Sequence, residues 1–151
     1  KTNARKRLMK LFAVGCALSA QTLVFAGQDK PIKIEQLPAN AQQIINNHFA
    51  GQKVALAKVD SELFGKTYDV IFTNGDKLEF DSKGDWIEVE CKKSQVPAAL
   101  VPESISKFVA DSYPQTKILE IDRDRRGYDV KLSSHIELKF DGQFQLVGID
   151  D

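Results

Sequence analysis

Glu88 and Glu90 stand two residues apart in a stretch, Asp85 to Cys91, where apolar and polar residues alternate as in a β-strand. That spacing puts both carboxylates on one strand face, where a pair could divide acid and base work. The same spacing also keeps an exposed face soluble, and this simpler role is preferred. His48 and His135 are the two histidines, and neither has a Cys or a second His at ligand spacing. His48 falls on an apolar helical stripe and reads as packed, His135 in a turn and reads as solvated. Ser133-Ser134-His135 sets hydroxyls beside an imidazole, but neighbouring strand residues point to opposite faces. Asp81-Ser82-Lys83-Gly84-Asp85 lacks the alternating oxygens of a calcium loop, and Lys83 opposes a cation there. Asp76, Asp81, Asp85 and Asp141 read as turn residues accepting local N–H bonds. The sequence holds no Gly-x-Ser-x-Gly elbow and no phosphate-cradling glycine loop. No catalytic residue, metal ligand or cofactor is expected, and the chain is read as a non-enzyme.

Trp86, the single tryptophan, is the sharpest candidate for binding. If Ile87, Val89 and Cys91 point to the core, Trp86 joins Glu88 and Glu90 on the opposite face as an interface anchor. If the strand bulges at the preceding turn, Trp86 is core instead, matching Phe144. Both placements stay open here. The contact set drawn on the first is Trp86, Ile71, Asp69, Glu79 and Glu88.

The elements that must position these residues come twice. Tyr68-Asp69-Val70 returns as Tyr128-Asp129-Val130, and Leu78, Phe80 and Asp81 return as Leu138, Phe140 and Asp141, always 60 residues on. Leu37-Pro38 returns as Val101-Pro102, each opening a stretch of helical periodicity. Four strands follow each helix: 54–64, 67–73, 76–81 and 85–91, then 118–123, 128–133, 136–141 and 143–149. Asn74-Gly75 marks a tight hairpin, and its counterpart has His135 in place of the glycine. Trp86 aligns with Phe144 and Glu88 with Leu146 if the turn after Asp141 is two residues shorter than that after Asp81. The fold class is α+β: two tandem αββββ units, residues 37–91 and 101–151, forming one antiparallel sheet with two helices on one face. Tyr68, Val70, Phe72, Leu78 and Phe80, with their counterparts, face the helices. Asp69, Ile71, Lys77, Glu79, Lys131, Glu137 and Lys139 line the other face, which two helices cannot also cover.

Residues 1–26 are of another kind. Five basic residues and no acid precede an apolar run from Leu11 to Ala20, and Val24-Phe25-Ala26 ends on small residues. This is the order of a secretory signal peptide cleaved after Ala26. The run is shorter than the roughly 20 apolar residues of a membrane span. Residues 27–36 read as a flexible segment. Without the leader the chain carries 16 basic against 21 acidic residues, a formal net of −5. An acidic chain is a poor partner for nucleic acid, and Arg123, Arg125 and Arg126 alternate with Asp122 and Asp124. Cys91 is the one cysteine beyond the leader, so no disulfide forms within that part, and its alternation with Val89 suits a buried thiol.

The repeated unit reads Leu/Val-Pro, helix, Tyr-Asp-Val, turn, Leu-x-Phe-Asp, then Gly and an aromatic. With the leader and the tandem arrangement, this resembles the PepSY-like family of exported bacterial proteins, over residues 37–151. The resemblance implies a fold similar to the β-lactamase inhibitor protein and a non-enzymatic binding or inhibitory role. No inhibitory loop is found to match residue by residue. The expectation is a periplasmic or secreted module whose open sheet face binds an unknown protein or peptide of the cell envelope. The alternative is a sensor of a small ligand or ion.

Overall fold

Strands of period two paired by short turns can only stack side by side, and they do so in chain order. The computed structural model describes residues 29–62 and 65–151; the leader read over 1–26 lies outside them. One antiparallel sheet of nine strands runs β1-β2-β3-β4-β5-β6-β7-β8-β9. The strands are β1 Asp29–Pro31, β2 Val54–Glu62, β3 Gly65–Phe72, β4 Lys77–Phe80 and β5 Trp86–Glu90. They continue as β6 Ile118–Arg123, β7 Gly127–Leu132, β8 Glu137–Asp141 and β9 Leu146–Asp150. Helix α1, Ala39–His48, precedes β2, and α2, Glu103–Ser112, precedes β6. Pro38 and Pro102 cap the two helices, one position earlier than a first-turn proline.

Both helices lie on one face. Ala41, Ile45, Ile105 and Val109 join Val70, Phe72, Leu78, Phe80, Val130, Leu132, Leu138 and Phe140 in one buried core. Phe49 stacks on Phe72 with centroids 5.3 Å apart, and Phe108 meets Phe140 edge-on at 5.6 Å. The expected helix-side residues are therefore the observed ones, and the other face carries Asp69, Ile71, Lys77 and Glu79 as read.

Three expectations are corrected. First, the stretch 27–36 is not loose from Asp29 on: β1 pairs with β2, giving nine strands where eight were expected. The register sets Lys30 against Val59, and Lys58 bonds Asp29 at 3.2 Å, so backbone pairing and an ion pair hold this polar segment. Second, the turns after Asp81 and Asp141 have the same length. Asp81 N–H donates to the Asp85 carbonyl and Asp141 N–H to that of Gln145, both at 2.9 Å. Asp81 Oδ1 accepts the N–H of Lys83 and Asp85, and Asp141 Oδ1 those of Gln143 and Gln145. Phe144 thus corresponds to Gly84, both with positive φ (64° and 88°), and Leu146 corresponds to Trp86.

Third, Trp86 is not on the open face. Phe80 pairs with Trp86 but Glu79 pairs with Glu88, so Ile87 is an extra residue on β5. That bulge breaks the alternation. It turns Trp86 to the side of Phe80 while Glu88 stays on the open face. The indole is 6% exposed. Arg123 covers it, its guanidinium carbon 4.0 Å from the ring centroid and its Nε donating to the Trp86 carbonyl at 2.6 Å. Burying a ring that removes some 150–250 Å² from water decides the placement.

Candidate functional site

Cross-strand partners on one face of a sheet stand side by side, so the pairing register lists what meets on the open face. Lys58, Asp69, Glu79, Glu88, Asp122, Asp129 and Lys139 form one row across β2 to β8. Its middle is five consecutive carboxylates, from Asp69 to Asp129, spanning about 19 Å at the strand spacing. The next row holds Ile71, Lys77, Glu90, Glu120, Lys131 and Glu137. Like charges directly opposite one another destabilise a sheet.

Three of these acids are buried. Glu88 is 0% exposed, Asp122 6% and Glu120 8%. Carboxylate oxygens of the three lie within 4.8 Å of one another. Glu88 comes from β5 and faces Asp122 on β6, and Glu120 occupies the next open-face position of β6. The simple account of Glu88 as a solubilising surface residue is thus corrected: it is wholly out of water. Asp69 is also largely withdrawn, with one oxygen buried and no donor on it, and the other 3.9 Å from Lys58 Nζ. Lys131 Nζ sits 3.3 Å from Glu120.

Burial raises the pKa of Glu120, Glu88 beside it raises it further, and Lys131 works against both. Burial likewise raises Asp69, opposed by Lys77 and Lys58 and reinforced by Glu88. Desolvation leads in both, because a carboxylate out of water holds its proton more tightly. Glu120 also lines a cavity of about 540 Å³ on this face, together with Glu90, Lys131, His135, Glu137 and Asp150.

Of the five residues expected to make contacts, Asp69, Ile71, Glu79 and Glu88 share the open face, and Trp86 does not. Glu120 and Asp122 were missed. Their signal was present, since both alternate with Ile121 along β6. Reading it required pairing β6 with β5 across a long connection. Cys91 is 1% exposed and burial pushes its thiol up to about 12, which suits an inert core residue. His135 is exposed in its turn and His48 is half-buried.

Chemically, the arrangement is a cluster of hard oxygen donors, suited to a hard divalent cation. Ligands on opposite sides of calcium stand up to about 4.6–5.2 Å apart, given its oxygen distances. The Glu88, Glu120 and Asp122 oxygens fit within that sphere.

A one-faced antiparallel sheet under two helices, with an acidic open face, defines a class of α+β modules. Residues 66–148 match the PepSY-like family, described as β-lactamase-inhibitor-like, and the chain belongs to it. A periplasmic protein of the DUF2874 family from Bacteroides vulgatus is 57% identical, with a TM-score of 0.80, over 82% of this chain and 97% of its own. A protein of Bacteroides thetaiotaomicron, described as a proposed calcium-regulated periplasmic protein, is 54% identical, with a TM-score of 0.80 over the same shares. A second Bacteroides vulgatus periplasmic protein, of unknown function, is 36% identical, with a TM-score of 0.77, over 82% and 99%. No curated protein matches the chain. Among the described residues, no helix is long and apolar enough to cross a membrane.

Proposed function

We propose that this protein is a non-enzymatic, calcium-binding module of the periplasm, exported by cleavage after Ala26, whose open sheet face is its binding surface. The observation that carries the reading is the buried cluster of Glu88, Glu120 and Asp122, with oxygens within 4.8 Å. The description of the 54% identical relative as calcium-regulated supports the choice of cation. Two copies of one αββββ unit, meeting at the β5–β6 seam, build the site: Glu88 closes the first unit and Glu120 and Asp122 open the second. A protein or peptide partner docks on the same face, over Asp69, Ile71 and Glu79, and bound calcium lowers the negative charge it meets. An inhibitor-like role draws on the family description and the open face alone.

The test is calorimetric titration of calcium chloride into chelator-treated protein, with melting curves beside it. Wild type binds calcium and melts higher in its presence. A site filled at one hundred times its Kd adds about 2.7 kcal/mol. Glu88→Gln and Glu120→Gln remain folded and lose both responses. Magnesium gives the smaller shift, because it demands tight octahedral geometry and keeps its waters, which fixed strand carboxylates satisfy poorly. Folded wild type with no calcium heat and no shift in melting would overturn the reading.

A further inference from the structure

Val147 is 66% exposed, Ile149 53% and Phe144 37%, and all three lie on or beside β9. Val89, sixty residues before Ile149, shows what that position looks like when covered. Val89 pairs with Leu78 as Ile149 pairs with Leu138, yet Val89 is 0% exposed. The difference lies in the outer edge. That of β5 is occupied by β6, which sets Ile121 against Val89. Among the described residues, no strand occupies the outer edge of β9. The opposite border of the sheet is blunted: β1 is three residues long and carries Asp29, Lys30 and Pro31. A short edge with charges and a proline resists further pairing. β9 has an acid only at its end and keeps apolar side chains on both sides of Gly148.

We propose that β9 is a homodimer interface, pairing antiparallel with β9 of a second copy about a two-fold axis at Ile149. The strand is self-complementary in that register. Ile149 meets Ile149 on the helix face, as Val89 meets Ile121 at the internal seam. Gly148 meets Asp150 on the open face, so no two acids stand opposed, and Asp150 keeps its 3.1 Å bond to Lys139. A second copy brings β9 because its other border is the blunted β1. The product is one sheet of eighteen strands, with both open faces on the same side. The two carboxylate clusters then lie roughly 38 Å apart at the strand spacing.

The experiment uses protein exported and processed in a periplasmic expression host, kept in EDTA so that calcium plays no part. Sedimentation velocity over a hundredfold range of concentration shows wild type passing from monomer to dimer. Ile149→Lys stays monomeric at every concentration with an unchanged melting temperature. Ile149→Cys forms a disulfide-linked dimer on mild oxidation, because Cα atoms paired across strands lie about 4.5–5.5 Å apart, within disulfide reach. Val147→Cys does not, since the same register holds its two copies about 14 Å apart. Cys91 stays silent, being buried. A wild type that is monomeric throughout overturns the proposal. So does a dimer that survives Ile149→Lys, or equal cross-linking of the two cysteine variants. Capture of another protein's strand by a monomeric chain would assign the edge to that partner instead.

Discussion

Glu120 and Trp86 show how far one residue's surroundings can move it from its ordinary role. Glu120 is a carboxylate whose burial and acidic neighbours outweigh its lysine. Its charged form is therefore disfavoured by folding, and neutralising it should help the calcium-free protein. Glu120→Gln in EDTA is expected to melt higher than wild type, by about 1 kcal/mol for a relieved like-charge pair, while it loses the calcium response. Differential scanning calorimetry with and without calcium reads both signs on one variant, and a lower melting point in EDTA would refute the repulsion account. Trp86 moves the other way, from expected contact to core. Trp86→Ala should cost about 3–5 kcal/mol, as large aromatic truncations do. Arg123→Ala should cost about 1–3 kcal/mol for the lost ring contact and hydrogen bond. Urea unfolding measures both, and a Trp86→Ala variant as stable as wild type would return the indole to the surface.

Elements explain why some of this was legible and some was not. The helices, eight of the nine strands and their inward residues follow from period and spacing, because Tyr68, Val70 and Phe72 cannot alternate without sharing a face. A bulge leaves no such mark: Ile87 fits a strand whether or not it is the extra residue, and the shift appears only in the pairing of Phe80 with Trp86. The cluster was hidden for a related reason. Glu88 and Glu120 are more than thirty residues apart and meet only through the β5–β6 pairing. The equal turns were hidden by Phe144, a residue seldom found at positive φ. Gly84, its counterpart, is demanded twice over. Its φ is 88°, and a Cβ there would lie 2.7 Å from Pro38 Cβ and 3.1 Å from the Ala41 nitrogen. The turn and the start of α1 pack too closely for a side chain. Gly84→Ala is expected to lose about 1–3 kcal/mol through strain and overpacking, whereas Phe144→Gly should be tolerated at its own turn. Paired denaturation curves decide it; equal tolerance at both turns would mean that α1 does not seat on the β4–β5 turn.

Across the whole molecule the acids act together, and their linkage to pH has a definite sign. Burial holds the pKa values of Asp69 and Glu120 in the folded chain above their ordinary values of 3.8 and 4.5. Where the unfolded chain has released these protons and the folded chain still holds them, folding takes up protons. Stability then falls as pH rises through that window and recovers as pH drops back towards the ordinary carboxylate values. In EDTA these two groups are therefore expected to add stability as pH falls through that window, the reverse of ordinary acid denaturation. Calcium at the proposed site is expected to invert this: it would take the charged carboxylates, protons would compete with it, and its affinity would fall over the same range. Two melting series follow, one in EDTA rising as pH falls towards the ordinary carboxylate values and one in calcium falling, and they converge where the cluster is protonated. The groups facing the cluster are Lys77, Glu79 and Glu90 on one side and Asp129 and Lys131 on the other. Glu88→Gln should flatten the calcium series and only make the EDTA series shallower, since burial is the larger cause of both shifts and the Glu88 charge adds to it. Parallel series that never converge would mean that calcium sits elsewhere and that the acidic row is only a feature of the sheet. Convergence abolished by Glu88→Gln would tie proton and calcium to the seam where β5 meets β6.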